Sequence, residues 1–302
     1  MKPLNRGSRP SPSRNKTFEV EQEDTLMPFL SAHLPNESRT TIKSILAHRQ
    51  TSINGTPTTQ FNAPLKPGDQ VAVYFGRNNA PFSHSKLKII YEDDFLIVTD
   101  KSAGLLSMAT EQLKEETAYR ILSDYVKKKD PRHCIFILHR LDRDTSGIIM
   151  FAKRKDIQEK LQQNWDNAVL ERKYVAVLEG IPEKKNGSIK SYIAENSAYI
   201  VHSSDADNGK LAITHYQVLN SGKHYSLVEL ELETGRKNQI RVHMQENGHP
   251  IAGDKKYGAR TNPVHRLALH AFKLSFVHPV TGKEMDFETP FPSRFITAVK
   301  NG

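Results

Sequence analysis

The chain has 302 residues, carries 43 Lys and Arg against 34 Asp and Glu, and has a formal charge of +9. That length can form one large or two moderate domains around a sizeable core, and a composition 37% hydrophobic and 25% charged excludes a wholly disordered chain. One cysteine, Cys134, excludes an internal disulfide framework and any multi-cysteine metal centre, and the absence of an apolar run of roughly 18 residues excludes a helical membrane span. The N-terminus lacks the apolar core of a secretory signal, so the expected setting is cytoplasmic, and the positive excess points to a polyanion, nucleic acid first.

Residues 1–16 hold Lys2, Arg6, Arg9, Arg14 and Lys16 with three prolines and no acid, the pattern of a disordered basic tail. Without those five charges the remainder carries +4. From 17 to 76 the pattern is that of a small α+β domain. Leu26, Phe29 and Leu30 fall at helical spacing, and Asn36 to Ser38 offers caps for a second helix through Ile42, Ile45 and Leu46. Asn54-Gly55 signals a hairpin, and Gln70 to Phe75 alternates as a strand. The second helix presents Arg39, Lys43, His48 and Arg49 on its polar side, a pattern that also suits any solvated face. A polar stretch, 77–86, reads as a linker.

From 87 to 299 strands and helices intermix without a βαβ repeat, which favours α+β with a mixed sheet. Ile89–Tyr91 and Phe95–Val98 pair around a turn, Gly147–Ala152 is a buried strand, and 156–169 is an amphipathic helix. Tyr174 is expected to open a strand, Val228, Leu230 and Leu232 alternate with acids, and 238–246 is a helix stopped by Gly248.

Three clusters could carry chemistry. His139-Arg-Leu-Asp-Arg-Asp-Thr-Ser-Gly147 packs charge densely before an apolar strand, as a catalytic carboxylate loop would, although an ordinary turn also uses such residues. Glu233 to His243 plants Arg236, Gln239, Arg241 and His243 at a helix start, where an arginine can pair with a carboxylate or phosphate. Tyr174, in Glu171-Arg-Lys-Tyr-Val175, suits either a core position or stacking on a base. No metal-binding histidine motif, phosphate-binding glycine loop or serine-hydrolase elbow is present, so no metal or organic cofactor is expected. Cys134 is expected to be a buried small residue rather than a nucleophile.

Together the clusters resemble the RluA family of pseudouridine synthases. The matching residues are His139-Arg140-Leu141-Asp142 with Thr145-Ser146-Gly147, Arg172-Lys173-Tyr174, and Thr234-Gly235-Arg236 with Gln239-Ile240-Arg241-Val242-His243. Gly248-His249-Pro250-Ile251, Gly253-Asp254, Tyr257-Gly258 and Arg266-Leu267-Ala268-Leu269-His270-Ala271 extend the likeness. Residues 17–76 resemble the RNA-binding module named after small-subunit ribosomal protein four, through Ser38-Arg39, Ile53-Asn54-Gly55 and Leu65-Lys66-Pro67-Gly68-Asp69.

The resemblance implies a mainly antiparallel mixed sheet and an enzyme that isomerises uridine without a cofactor. It implies Asp142 as catalytic aspartate, Tyr174 beside the target base, and Arg241 as the ion-pair partner that favours ionised Asp142. Arg140 and Arg236, with Arg39, Lys43 and Arg49, are the expected RNA contacts. Large-subunit (23S) ribosomal RNA is favoured over tRNA, and the protein is expected to act as a monomer. Departures from the family pattern are Lys101-Ser102 for Lys-Pro, Ser107-Met108-Ala109 for Val-His-Pro, and Lys237-Asn238 for Thr-His, all beside the expected site. A non-catalytic RNA-binding or ribosome-assembly factor, a tRNA synthase of the same type, and an RNA nuclease or glycosidase are the alternatives.

Overall fold

The computed structural model describes residues 16–47, 50–74, 82–109, 116–196 and 201–302. Residues 1–15, Arg49 and 77–81 lie outside them, and with them most of the expected tail, one expected RNA contact and half of the expected linker. The chain forms two compact units, 1–83 and 84–302.

In the first unit, strand β1 (Lys16–Glu19) starts one residue inside the expected tail, with Lys16 opposite Val73. After β2 (Asp24–Thr25) come helices α1 (Leu26–His33) and α2 (Arg39–Ala47). Ser38 caps α2, its Oγ accepting from the Thr41 N–H at 3.1 Å. Strands β3 (Thr51–Ile53), β4 (Thr56–Pro57), β5 (Pro64–Leu65) and β6 (Gln70–Val73) follow. Asn54 and Gly55 both have positive φ, 50° and 78°, as a two-residue hairpin loop requires. Four strands pair in the order β1-β6-β3-β4, and the core joins Leu26, Phe29 and Leu30 of α1 to Ile42, Ile45 and Leu46 of α2 and to Val71 and Val73.

The second unit begins with β7 (Leu87–Glu92) and β8 (Leu96–Lys101), then α3 (Ala118–Lys129), capped by Thr117 Oγ1, and β9 (Phe136–Ile137). Next, β10 (Ser146–Ala152) is buried throughout, which explains its unbroken apolar sequence. The helix expected over 156–169 is two pieces, α4 (Lys155–Gln163) and α5 (Trp165–Ala168), broken at Asn164, and Val169 already belongs to β11 (Val169–Glu179). Tyr174 therefore lies inside a strand instead of opening one. Then come β12 (Asn186–Glu195), β13 (Val201–Ser204), β14 (Lys210–Ser221), β15 (Tyr225–Leu232) and α6 (Gln239–Glu246). The unit ends with β16 (Leu269–Val277), β17 (Glu284–Glu288) and α7 (Ser293–Asn301).

These strands make one sheet of eleven, ordered β13-β12-β14-β15-β11-β16-β10-β8-β7, with β17 paired to β16 and β9 to β10. All pairs are antiparallel except β10 with β16, which are parallel over Ser146↔His270 and Gly147↔Ala271. This is the mixed, mainly antiparallel α+β arrangement expected. One core cluster joins β11, β15 and β16 to Ile240 and Met244 of α6, and another joins β8 and β10 to Ile157 and Leu161 of α4. Cys134 is exposed rather than buried, because it lies in the loop that follows α3 and not in an element that packs on the sheet. Among the described residues no helix is long and apolar enough to cross a membrane.

Candidate active site

The loop 139–145 hangs from the start of β10, at the parallel junction. Its shape is fixed from below by Lys101, whose fully buried side chain donates from Nζ to the carbonyls of Leu105 (2.8 Å), Arg143 (3.1 Å), Asp142 (3.2 Å) and Ser102 (3.2 Å). Burial pushes the Lys101 ammonium down to about 8, against the opposing pull of Asp142 and Asp144. Ser107 Oγ donates to the Leu141 carbonyl at 2.6 Å and accepts from the Leu141 N–H at 3.1 Å. Lys101 and Ser107 thus brace the loop, and this is what the two departing segments, Lys101-Ser102 and Ser107-Met108-Ala109, do here.

His139 faces inward. Its Nε2 accepts from the Met150 N–H at 3.1 Å, and burial, with Arg172 nearby, lowers its pKa to about 3. It completes the backbone bonding of β10 as a neutral ring. On the far side of the loop, Arg266 donates to Ser146 Oγ at 3.0 Å and to the Leu267 carbonyl at 3.1 Å. Ser146 Oγ in turn pairs with His270 Nδ1 at 2.8 Å, and His270 Nε2 with Thr289 Oγ1 at 3.0 Å. Gly147 is required here, because its φ is +115° and a Cβ would sit 2.1 Å from the Ala271 carbonyl oxygen.

Helix α6 delivers Arg241 from the other side. Gln239 pins the helix start: its Nε2 donates to the Ile213 carbonyl (2.9 Å) and Thr214 Oγ1 (3.0 Å), and its Oε1 accepts from Thr234 Oγ1 (2.7 Å) and the Arg236 N–H (3.0 Å). His243 is a second pin, with Nδ1 on Thr214 Oγ1 at 2.8 Å, and burial holds its pKa down at about 4. Between them Arg241 points outward into the cleft. Its Nε and Nη2 donate to the two oxygens of Asp254 at 2.7 and 2.8 Å, and its Nη1 donates to Asp142 Oδ2 at 3.2 Å and Asn238 Oδ1 at 3.2 Å. The guanidinium also lies 4.7 Å from the Tyr257 ring. Despite burial, the two carboxylates raise the Arg241 pKa, so it is a fixed cation.

Asp142 is therefore held by one oxygen only. Among the described residues Oδ1 has no protein partner, and the side chain remains 34% exposed. It lines a small cleft of about 70 Å3 together with Tyr174, Arg140, Arg236 and Arg241. Tyr174, on β11, contributes its ring; burial, reinforced by the charge of Asp142, pushes its phenol up to about 12, so it stays protonated at neutral pH. Arg140 and Arg236 are exposed at the rim, and Arg236 Nε donates to the Leu211 carbonyl at 3.0 Å. Arg39 and Lys43 are exposed on α2, in the first unit. Among the described residues no three His, Cys, Asp or Glu side chains gather as a metal-binding group.

Sequence reasoning placed Lys101, Asp254 and Asn238 in or beside the family motifs but assigned none of them a role in the site. The Asp254 side chain is 2% exposed, and this burial of a charge with no apolar pattern around it is visible only after folding. Asn238 has φ +53° at the start of α6, and its Nδ2 donates to the Tyr257 hydroxyl at 3.0 Å. The one available signal was that Asn tolerates left-handed backbone better than other side chains.

Residues 95–246 match the family model described as RNA pseudouridylate synthase. The RNA pseudouridine synthase YhcT of Bacillus subtilis is 34% identical over 261 residues, 85% of this chain and 86% of that protein. The ribosomal large subunit pseudouridine synthase D of Nitrosomonas europaea is 31% identical over 313 residues, 96% of this chain and 90% of that one. Among solved structures, human RNA pseudouridylate synthase domain containing 4 superposes with a TM-score of 0.57 at 27% identity, over 70% of this chain and 91% of that one. With half its length under the family model and relatives this similar across nearly the whole chain, the protein belongs to the RNA pseudouridylate synthase family, isomerases that act on RNA.

Proposed function

We propose that the protein converts uridine to pseudouridine in large-subunit ribosomal RNA, acting as a monomer, with Asp142 as the catalytic carboxylate. The observation that carries this reading is the one-sided tether of Asp142. Arg241 occupies Oδ2, while Asp142 itself lines the cleft beside Tyr174 and keeps its second oxygen unpaired among the described residues. The reaction breaks the bond between N1 and C1′, turns the base, and joins C5 to the same carbon. An ionised carboxylate can bond C1′ or stabilise positive charge there, as in glycoside chemistry. Arg241, a fixed cation, holds and aims that carboxylate. When the new carbon–carbon bond forms, the proton leaving C5 is balanced by one taken up at N1, so no atom is gained or lost.

A protonated Tyr174 cannot serve as a base at neutral pH. Its role in this reading is to pack its ring against the uracil and hold the base while it turns. The base must first leave its stack, at a cost of a few kcal/mol, which contacts to the RNA backbone offset. Arg140 and Arg236 at the cleft rim are the nearest candidates. Arg39 and Lys43 of the first unit suit a second RNA contact if that unit is the ribosomal-protein-four type of module it resembles; Arg49 lies outside the described residues. The preference for large-subunit RNA is supported by relatives named as ribosomal large subunit pseudouridine synthases, such as that from Nitrosomonas europaea.

The test is Asp142→Asn. RNA binding and folding should persist, while pseudouridine formation, read by base-resolved mapping of ribosomal RNA, should vanish. Near-normal turnover in that variant refutes the assignment. Strand scission or released uracil would instead favour a nuclease or glycosidase.

A further inference from the structure

The Asp142 cleft is one end of a longer trough. A contiguous cavity of about 560 Å3 shares Arg140, Asp142, Tyr174 and Arg236 with it and runs on to His139, Trp165 and Arg172. The inner cleft alone is smaller than a small-ligand site, and the trough falls within the range of such sites, so it offers space beyond the Asp142 pocket for a neighbouring group.

Two side chains on that outer wall are shaped for a strand. Trp165, the single tryptophan of the chain, is half-buried at the start of α5. It packs on the α4–β10 apolar cluster and lies 5.5 Å from the His139 ring, yet it still lines both the trough and an adjoining depression of about 210 Å3. Arg172 lines the same two spaces, its Nη2 3.4 Å from the carbonyls of Leu232 and Glu233. Gly235 leaves room for it: a Cβ there would come within 2.5 Å of Arg172 Nη1. Around the trough four cations, Arg140, Arg172, Arg236 and Lys237, face two acids, Asp142 and Asp166.

We propose that Trp165 and Arg172 form a subsite for the nucleotide flanking the target uridine in an unpaired RNA strand. Trp165 stacks on the flanking base and Arg172 meets the adjoining phosphate. This rests on the synthase reading for the placement of the target at Asp142. A uridine drawn into the cleft pulls its neighbours along the trough, and a stacking platform accepts any base because every base has a π-face. The subsite therefore strengthens binding of single-stranded context without selecting the target base.

Because there is one tryptophan, its fluorescence reports this position directly. A uridine-centred pentaribonucleotide added to the full chain should quench it saturably. Replacing the nucleotide on either side of the uridine by an abasic ribose should identify the stacked neighbour, one replacement weakening the affinity roughly five- to hundredfold. Trp165→Leu keeps an apolar side chain but no ring, whereas Trp165→Phe keeps the ring. The Leu variant should raise the oligonucleotide KM by a similar factor and the Phe variant by no more than about threefold. The loss should fall on KM rather than kcat, at equal melting temperatures. Absence of quenching, or equal KM for the Leu and Phe variants, overturns the subsite. Saturable quenching without pseudouridine in any ribosomal RNA would instead overturn the synthase reading and leave a strand-binding trough.

Discussion

At the scale of single residues, the central arrangement is an arginine shared unequally between two carboxylates. The Asp254 side chain is 2% exposed and binds Arg241 through both oxygens, whereas that of Asp142 is 34% exposed and uses one. If Asp142 loses its charge by bonding to the substrate, Arg241 keeps a full counter-ion. The two positions should accordingly separate stability from activity. Asp254→Ala strips a buried cation of its main partner and should cost about 3 kcal/mol in urea unfolding. Asp142→Asn leaves that partner in place and should cost under about 1 kcal/mol, the range of exposed pairs, although it should abolish turnover. Equal losses would mean that the two carboxylates support Arg241 alike. The Asp142–Arg241 pair was expected through the family resemblance, since the dense polar motifs alone suited an ordinary turn and a surface helix equally well. Lys101 was not, since its burial depends on carbonyls up to 42 residues away closing over it.

At the scale of elements, the parallel contact of β10 with β16 decides where the loop can sit. Only two residue pairs make it, and beyond them β17 takes over the same edge of β16. Gly147 is at this contact, so Gly147→Ala forces a side chain into backbone at a disfavoured φ. A loss of roughly 2–4 kcal/mol in denaturant unfolding is expected, with the Asp142 loop displaced and activity lost in the surviving folded fraction. Wild-type stability in that variant would show that the junction can open without cost. Elements with local signals, such as the Asn54-Gly55 hairpin and the Ser38 cap, could be read from sequence. The break at Asn164 could not, because the apolar spacing of Ile157, Leu161 and Trp165 continues through it while β11 claims Val169 for the sheet.

For the whole molecule, charge and protonation set the working range. Lys16 belongs to the first sheet, so four rather than five of the basic residues expected in the tail precede the fold. The half-buried His139 and the buried His243 and His270 are held neutral by desolvation, with pKa values of about 3, 4 and 4. Their folded values lie below the unfolded one of about 6.5, so the unfolded chain binds more protons between pH 6.5 and about 4. Stability should be full above that window and fall on acidification through it, by up to about 1.4 kcal/mol per pH unit for each ring. Urea titrations at pH 7 and pH 5 measure this. His139→Gln, which keeps an acceptor for the Met150 N–H, should remove one ring's share of the slope. A stability independent of pH over this window would contradict the neutral assignment.

The bridge between Arg241 and Asp142 joins residues 99 apart in the chain. Contacts at such separation form late in folding, because a long loop must close before they repay it. Newly made or refolding protein should therefore acquire its secondary structure before its competence to react. In stopped-flow refolding, far-ultraviolet dichroism should recover first and pseudouridine formation after a lag. A half-folded chain able to grip RNA through surface cations would thus lack an assembled catalytic centre, and premature chemistry on the wrong uridine would be suppressed by the order of assembly itself.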